Sequence, residues 1–425
     1  MIQLIHHNNE LISIFESHIK DHDLTNFSEL VNLDSIDSIL RKFLNLSEMK
    51  EAGSFFTGQH LASALINKIS KSISNNSLII DPTCGAGNLL IECARHLTIE
   101  NTLSETLKSW GKVLYGYDLH QSFIDAAKLR LIFEALSQGA VKNCSLEEAL
   151  SYLPNIFVSD VMSLGKDHFD DATHIIMNPP FSNWPSPRTR FWKAGKVNAA
   201  GVVFEKVLNL VQEDCHVCAI LPDVLRSGSR YQNWRKFTNS KFAGDCEVYG
   251  RFNKKTDVDV FILSGFKKEV TYFDLAWSEC PSVGNVVSDF FDICIGPLVA
   301  YRDPQLGDEY PYIHSRIAPA WGVMVEFSEK RKFSGKVFSP PLIVIRRTSS
   351  PSDKYRAVAT LVLGDKKVAV ENHMIVLVPK DGLISTCEKL LENMKADIVN
   401  DFLNKRIRLR HLTVGVIKEL PYNQG

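Results

Sequence analysis

The chain has 425 residues, 45% hydrophobic and 23% charged, with a formal net charge of −1. That length exceeds one ordinary core and the composition is that of a folded globular protein, so two domains behind a short helical preface are expected. No apolar run is long enough to span a bilayer, and MIQLIHHNNELISIF lacks the basic start and small-residue cleavage site of a secretory leader, so a cytoplasmic location without membrane is the expectation.

Residues 1–50 read as helices, LISIFESHI and LDSIDSILRKFL having apolar residues at helical spacing, with His6, His7, His18 and His22 in a solvated polar setting. GSFFTGQH follows as a Gly-bounded loop and LASALINKI as a helix. From residue 78 strand and helix alternate: LIIDPTCGAG, NLLIECARHL, VLYGYDLH, QSFIDAAKLRLIFEAL, NIFVSDV, THIIMNPP, GVVFEKVLNLV and CHVCAILP. CEVYGRF and VDVFILSGF read as a closing strand pair. This rhythm predicts an open, mainly parallel α/β sheet over 51–270, with ligands at the carboxyl ends of its strands. After about 270, Pro and Gly become frequent, strands shorten, and LISTCEKLLENMKADIVNDFLNKRI reads as one late helix, which makes 271–425 a separate α+β domain. Nine cysteines without repeating spacing exclude a disulfide framework, and the lone Cys215-x-x-Cys218 lies in an apolar run, where core packing is expected rather than zinc.

Four successive strand ends carry an acid or amide. Asp81 opens DPTCGAG, whose Gly85 and Gly87 allow a tight turn and close approach to a ligand before a helix N-terminus. Leu90 replaces the third glycine of a dinucleotide loop, and no P-loop lysine is present, which disfavours a phosphate ligand. Asp118 ends the second strand, where a carboxylate accepts from ribose hydroxyls, Asp160 the third, where an acceptor suits an adenine amine, and Asn178 the fourth. Any one of these would serve as a loop cap; all four line one edge. A ligand with a ribose, an adenine and a positive end, and no phosphate, is S-adenosylmethionine.

Asn178-Pro179-Pro180-Phe181 is an unusual strand ending. Two prolines stop any ladder, and the first pushes Asn178 into an extended conformation, so its amide is rigidly presented. Two segments are locally basic without an acid and interleaved with apolar residues: 182–204, with Arg188, Arg190, Lys193 and Lys196, and 402–417, with Lys405, Arg406, Arg408, Arg410 and His411.

The ordered set FFTG (55–58), DPTCGAG (81–87), GYD (116–118), SD (159–160) and NPPF (178–181) resembles the gamma-class, amino-type N6-adenine DNA methyltransferases of restriction-modification systems. Similarity runs on through AILPDVLRSG (219–228) and RFNKKTDVDVFIL (251–263), over roughly residues 50–268. The resemblance implies a Rossmann-like S-adenosylmethionine-dependent methyltransferase sheet with N-terminal helices and a C-terminal target-recognition domain. It implies that Asp81, Gly85, Gly87, Asp118 and Asp160 bind S-adenosylmethionine, with Phe56 and Thr57 closing over the methionine end. Asn178 and the carbonyl of Pro179 would take the two amine protons of a flipped-out adenine, Pro180 adding rigidity and Phe181 stacking on the base, with no metal required. Phe261 or Phe266 would supply the other face. Gly58 stands where the family usually has proline, and ENTLSETLKSW lengthens the spacing before the second strand.

The C-terminal domain resembles target-recognition domains more loosely, through IRRTSSPSDK, VENHMIV and NKRIRLRHLTVGVIKELP, so Arg346, Arg347, Arg406, Arg408 and Arg410 are candidates for phosphate or guanine contacts beside Arg188, Arg190 and Lys193. Duplex DNA is the implied partner, with a separate restriction endonuclease or specificity subunit beyond it. RNA or protein-glutamine methylation, and a non-catalytic DNA-binding subunit of the same fold, are the competing readings; a Ser-Pro-Pro-Tyr-like motif would have favoured cytosine N4.

Overall fold

The short apolar runs ending in Asp or Asn become parallel strands of one sheet; the runs that end at Asp81 and Asn178 are central and buried on both faces, while the run before Asp160 forms the exposed edge. The computed structural model describes residues 2–17, 24–41, 57–187, 192–253, 256–269, 275–277 and 284–422. It divides into two units, Met1–Arg226 with Arg230–Ala276, and Ser227–Ser229 with Trp277–Gly425.

In the first unit the strands are β1 (Ile79–Asp81), β2 (Leu114–Asp118), β3 (Ile156–Val158), β4 (His174–Met177), the small hairpin β5 (Asn183–Pro185) and β6 (Lys196–Asn198), then β7 (His216–Pro222), β8 (Phe242–Asn253) and β9 (Thr256–Lys267). Among the described residues seven form a sheet in the order β3-β2-β1-β4-β7-β9-β8. The first five run parallel, β9 lies antiparallel to β7, and β8 antiparallel to β9. The chain builds outward from β1 to β3 and then returns to place β4 on the other side of β1, so the strand order reverses between β1 and β4, where a crevice opens at the carboxyl edge.

Helices α1 (Ile2–Glu16), α2 (Leu24–Leu30) and α3 (Ser35–Arg41) precede α4 (Gln59–Ile66), α5 (Asn88–Ala94), α6 (Leu103–Val113) and α7 (Gln121–Ser137). The preface packs into the sheet's own core: Phe15 and Phe27 meet Phe133 of α7 at 6.4 and 5.7 Å between ring centroids. His7 is buried there rather than solvated, and burial beside Arg130 pulls its pKa down to about 4; His18 and His22 lie outside the described residues. The extra stretch before β2 is α6, capped by Thr102, whose hydroxyl accepts from the Glu105 N–H. Cys215, just before β7, and Cys218 within it are core residues, their thiols pushed up to about 12 by burial. No described helix is long and apolar enough to cross a membrane.

The second unit holds a five-stranded sheet with Leu342–Arg346 between Met374–Pro379 and Ala359–Val362, and a three-stranded sheet centred on Asp308–Ile313, again among the described residues. Alternate residues of the five-stranded sheet face two cores: Ile343, Ile345, Ile375 and Leu377 one way, Leu342, Val344, Met374 and Val376 the other. The expected single late helix is two, Ile384–Asn393 and Asp397–Arg406. Leu390 and Val399 are nine residues apart and both buried in one core. A continuous helix turning about 100° per residue would put them on opposite faces, and the break removes that conflict.

Gly87 begins α5 at φ 80°, and a β-carbon there would stand 2.9 Å from that of Ala127 on α7. Gly87→Ala should therefore destabilise the protein by about 1–3 kcal/mol through backbone strain and overpacking. Gly139→Ala, also at positive φ (102°) but with nothing within 4 Å of the added carbon, should cost less. Thermal unfolding of both variants checks the ranking, and equal losses would assign the effect to backbone strain alone.

Candidate active site

At the carboxyl edge of the first unit's sheet, each acid is anchored by the backbone two residues on. Asp81 Oδ1 accepts from the Thr83 N–H at 3.1 Å, Asp118 Oδ1 from His120 at 2.9 Å, and Asp160 Oδ1 from Met162 at 2.9 Å. These are side-chain turns that an Asp forms after any strand, so each residue caps its own loop as a single-residue reading would have it. The three nevertheless line one cavity together with Thr57, Gly85 and Asn178. Gly85, at φ 52°, donates its N–H to Asp118 Oδ2 at 3.2 Å, which ties the glycine turn to the end of the neighbouring strand.

Asp81 is 2% exposed, and burial pushes its carboxyl up to about 8; the Thr83 N–H opposes this and the nearby Asp118 adds to it. Burial also raises Asp118, against the hydrogen bonds it accepts. A cavity wall in which burial holds Asp81 back from ionising suits a cationic ligand, which would restore that carboxyl's charge. Leu119 from the turn after β2, Phe123 from the first turn of α7, Val161 and Trp184 give it apolar walls.

Asn178 follows β4 and donates its Nδ2 to the Thr57 hydroxyl at 2.9 Å. Pro180 lines the cavity, Gly87 packs against α7, and the Phe181 ring meets Phe252 of β8 edge-on at 5.6 Å. Neither phenylalanine expected to offer a second face is placed for it. Phe261 is fully buried, and Phe266 stacks on His216 at 4.4 Å. β9 runs antiparallel to β7, pairing Phe266 with the residue that starts β7, so its end lies at the edge opposite Asn178. The reversal that removes Phe266 brings the end of β8, and with it Phe252, to the carboxyl edge. An antiparallel reading of the closing pair would have found it. Asn198 secures the loop after NPPF: its Nδ2 donates to the Phe181 carbonyl at 3.1 Å, and its N–H to the Tyr231 hydroxyl at 3.0 Å.

Gly58 caps α4, and the Asp34 carboxylate occupies the space a β-carbon would need while accepting from the Gln59 N–H at 3.3 Å, which accounts for glycine where proline is usual in the resembling family. Phe56, Arg188 and Arg190 lie outside the described residues. Lys193 and Lys196 are exposed.

In the second unit, Arg346 donates to the Ala318 carbonyl at 2.9 Å, Arg347 to those of Leu412 and Asn372, and Arg406 forms a two-bond ion pair with Glu419 at 2.7 and 3.2 Å. Arg408 is half-buried and Arg410 exposed. Within this unit the segment carrying Arg346 and Arg347 meets the one carrying Arg408 and Arg410: the Ser349 N–H donates to the Arg410 carbonyl at 2.8 Å, and the Leu412 N–H to that of Arg347 at 2.8 Å. Buried Arg356, not singled out from the sequence, holds this segment by donating to the carbonyls of Leu403, Ile407 and Leu409.

Residues 33–206 match the family described as N-6 DNA Methylase. No curated protein matches the chain. In fold the chain is similar to the type IIL restriction-modification enzyme MmeI in complex with DNA, at a TM-score of 0.51 and 9% identity over 92% of this chain and 70% of that one. It also matches the methyltransferase subunit of a type I restriction-modification system from Streptococcus thermophilus (TM-score 0.40, 17% identity, 60% of this chain, 52% of that one). The M protein of the type I restriction enzyme EcoKI is a further match (TM-score 0.39, 13% identity, 64% and 61%). The chain spans about half to three fifths of the length of these type I subunits.

Because Asp81 holds its proton more tightly folded than unfolded, its contribution to stability is full below the ordinary carboxyl range near 4 and is lost as pH rises toward about 8. Asp81→Asn removes that dependence. The melting temperature of the cofactor-free variant should gain on the parent progressively between pH 5 and 8 and level off above; a gap that does not vary with pH would contradict a protonated Asp81.

Proposed function

We propose that this chain, whose residues 33–206 match the N-6 DNA Methylase family, moves a methyl group from S-adenosylmethionine to the exocyclic nitrogen of an adenine flipped out of duplex DNA. The observation that supports this best is a single cavity walled by an amide, Asn178, and three strand-end acids, Asp81, Asp118 and Asp160. The acids fit the cofactor's chemistry. Asp81, buried and disposed to keep its proton, gains a reason to ionise beside a sulfonium or ammonium group. Asp118, beside its backbone contacts, would accept from a ribose diol, and Asp160, on the wall of the same cavity, would accept from an adenine amine. Gly85 would admit close backbone approach, and Phe56 and Thr57 would close over the methionine end. S-adenosylmethionine, when bound, supplies a methyl group made electrophilic by its positive sulfur.

The chain's part is to make a poor nucleophile reactive. An adenine amine shares its lone pair with the ring. Asn178 Oδ1 and the Pro179 carbonyl would accept its two protons, draw the nitrogen toward tetrahedral geometry and localise that pair. These acceptors bind more strongly as the nitrogen becomes positive, and the two prolines keep them from relaxing away. Phe181 would stack on the base with Phe252 backing it, and Trp184 adds an apolar wall. The proton in excess after transfer leaves along the same acceptors to solvent.

Arg188, Arg190 and Lys193 beside the catalytic loop, and Arg408 and Arg410 of the second unit, would hold the DNA. Arg346 and Arg406, whose guanidiniums already serve a backbone carbonyl and Glu419, would contribute after exchanging those partners. A separate restriction endonuclease or a specificity subunit is the further partner proposed, in the cytoplasm.

Incubation of the protein with labelled S-adenosylmethionine and adenine-containing duplex DNA, followed by digestion to nucleosides, tests the reading. N6-methyladenine should appear with the parent, and Asn178→Ala should lower its rate on the order of 10²–10³-fold. Absence of product from DNA despite measurable cofactor binding would overturn the DNA assignment.

A further inference from the structure

The hydrogen bond from Asn178 Nδ2 to the Thr57 hydroxyl joins two elements 121 residues apart. It matters because a side-chain amide has unlike ends. Its oxygen accepts a proton and its nitrogen donates two, so an amide turned over would face a substrate amine with N–H groups. With Nδ2 on Thr57, the end turned away from Thr57 is Oδ1. Thr57 is 2% exposed, so water does not replace it readily at that nitrogen.

Thr57 is itself held from behind. Its carbonyl accepts from Asn88 Nδ2 at 2.6 Å, and the same nitrogen donates to the Leu33 carbonyl at 2.8 Å. Asn88 Oδ1 accepts from Arg130 Nη1 at 2.6 Å. A guanidinium only donates, so it requires the oxygen of Asn88 on its own side and sends the nitrogen toward Thr57. The same Arg130 nitrogen donates to the Ala86 carbonyl in the glycine turn at 2.7 Å, and Nη2 to the Asn32 carbonyl at 3.3 Å. Arg130 is fully buried, and the acceptors it meets are neutral, while Glu134, one turn along α7, is engaged by Arg95 at 3.1 Å. Burial pulls its pKa down to about 9. A desolvated cation without a carboxylate partner is a poor source of stability, and its geometry here organises four separate stretches of chain.

Resting on the reading of Asn178 as acceptor for the substrate amine, we propose that Thr57 is a positioning residue for the Asn178 amide and that Arg130, through Asn88, holds Thr57 in place. Activation of the base then depends on Thr57 being seated, and the role of Thr57 extends beyond a contact to the cofactor.

The full-length chain carries the test, as Thr57→Val, Thr57→Ser and Arg130→Met with Asn178→Ala as control. Cofactor affinity is measured by calorimetry and the chemical step by single-turnover methylation at saturating cofactor. A positioning role predicts a single-turnover rate at saturating cofactor lowered on the order of 10²-fold in Thr57→Val, whatever that variant's cofactor affinity, with recovery in Thr57→Ser and slowing in Arg130→Met. In cofactor-free protein labelled with ¹⁵N-asparagine, the Asn178 side-chain amide, assigned by its loss in Asn178→Ala, should exchange with water faster in Thr57→Val than in the parent or Thr57→Ser. Thr57→Val with weakened cofactor binding but an unchanged rate at saturation, and unchanged amide exchange, would overturn the inference and leave Thr57 as a cofactor contact. Thr57→Ala serves the same comparison if the valine variant does not fold. An active Asn178→Ala protein would instead overturn the reading on which the inference rests.

Discussion

Like charges gathered at one sheet edge repel one another, and a parallel sheet gathers them whether or not a ligand is present. What makes the arrangement tenable here is the hydrogen bond each acid accepts from the backbone two residues on, at Thr83, His120 and Met162. That contact sets the orientation of each carboxyl before any ligand arrives, so its placement is set by folding rather than by binding. At Asp81 the contact does not offset burial, and the carboxyl keeps its proton to about pH 8. The position that holds the unbound protein back from ionising is the one a cation would relieve, so local electrostatic strain and ligand choice have one origin.

The strand ends were legible because their signal is local: an apolar run, then Asp or Asn, then a turn residue, all within a few positions. Alternation of strands with helices located the carboxyl edge as well. The late helix was misread because continuous polarity and apolar spacing within each half conceal that Leu390 and Val399 fall out of phase. Phe252 was missed for a topological reason, since the direction of a closing strand is not written in its own residues, and the reversal exchanges which end reaches the site. Thr57 was read as part of a cofactor motif, but its hydroxyl partner lies 121 positions away, beyond what spacing can show.

The basic surface of the second unit illustrates the same limit from the other side. Clusters of arginine in sequence suggested an array of contacts for DNA, yet Arg346, Arg347 and Arg406 are engaged within the unit. A long cationic side chain satisfies carbonyls at loop and helix ends as readily as it meets phosphate, and composition cannot separate the two uses. Pairing of Arg347 and Ser349 with Leu412 and Arg410 nevertheless aligns two distant basic stretches.

Arg130 and Arg356 share a solution to one problem of irregular backbone. A loop leaves carbonyls without ladder partners, and burying them is costly unless a donor is supplied. Arg130 reaches Ala86 in the glycine turn, and Arg356 reaches Leu403, Ile407 and Leu409 where a helix ends and the basic segment begins. A guanidinium has five donors in a rigid plane and no acceptor, so it can gather several carbonyls without competing for the loop's N–H groups. In the glycine turn that asymmetry is useful: carbonyls drawn inward by Arg130 leave the backbone N–H groups as the loop's means of meeting Asp118 and a ligand. A neutral donor–acceptor side chain of similar size would satisfy the carbonyls as well, but it could also turn over and take the N–H groups, and the loop would then have two arrangements where it now has one.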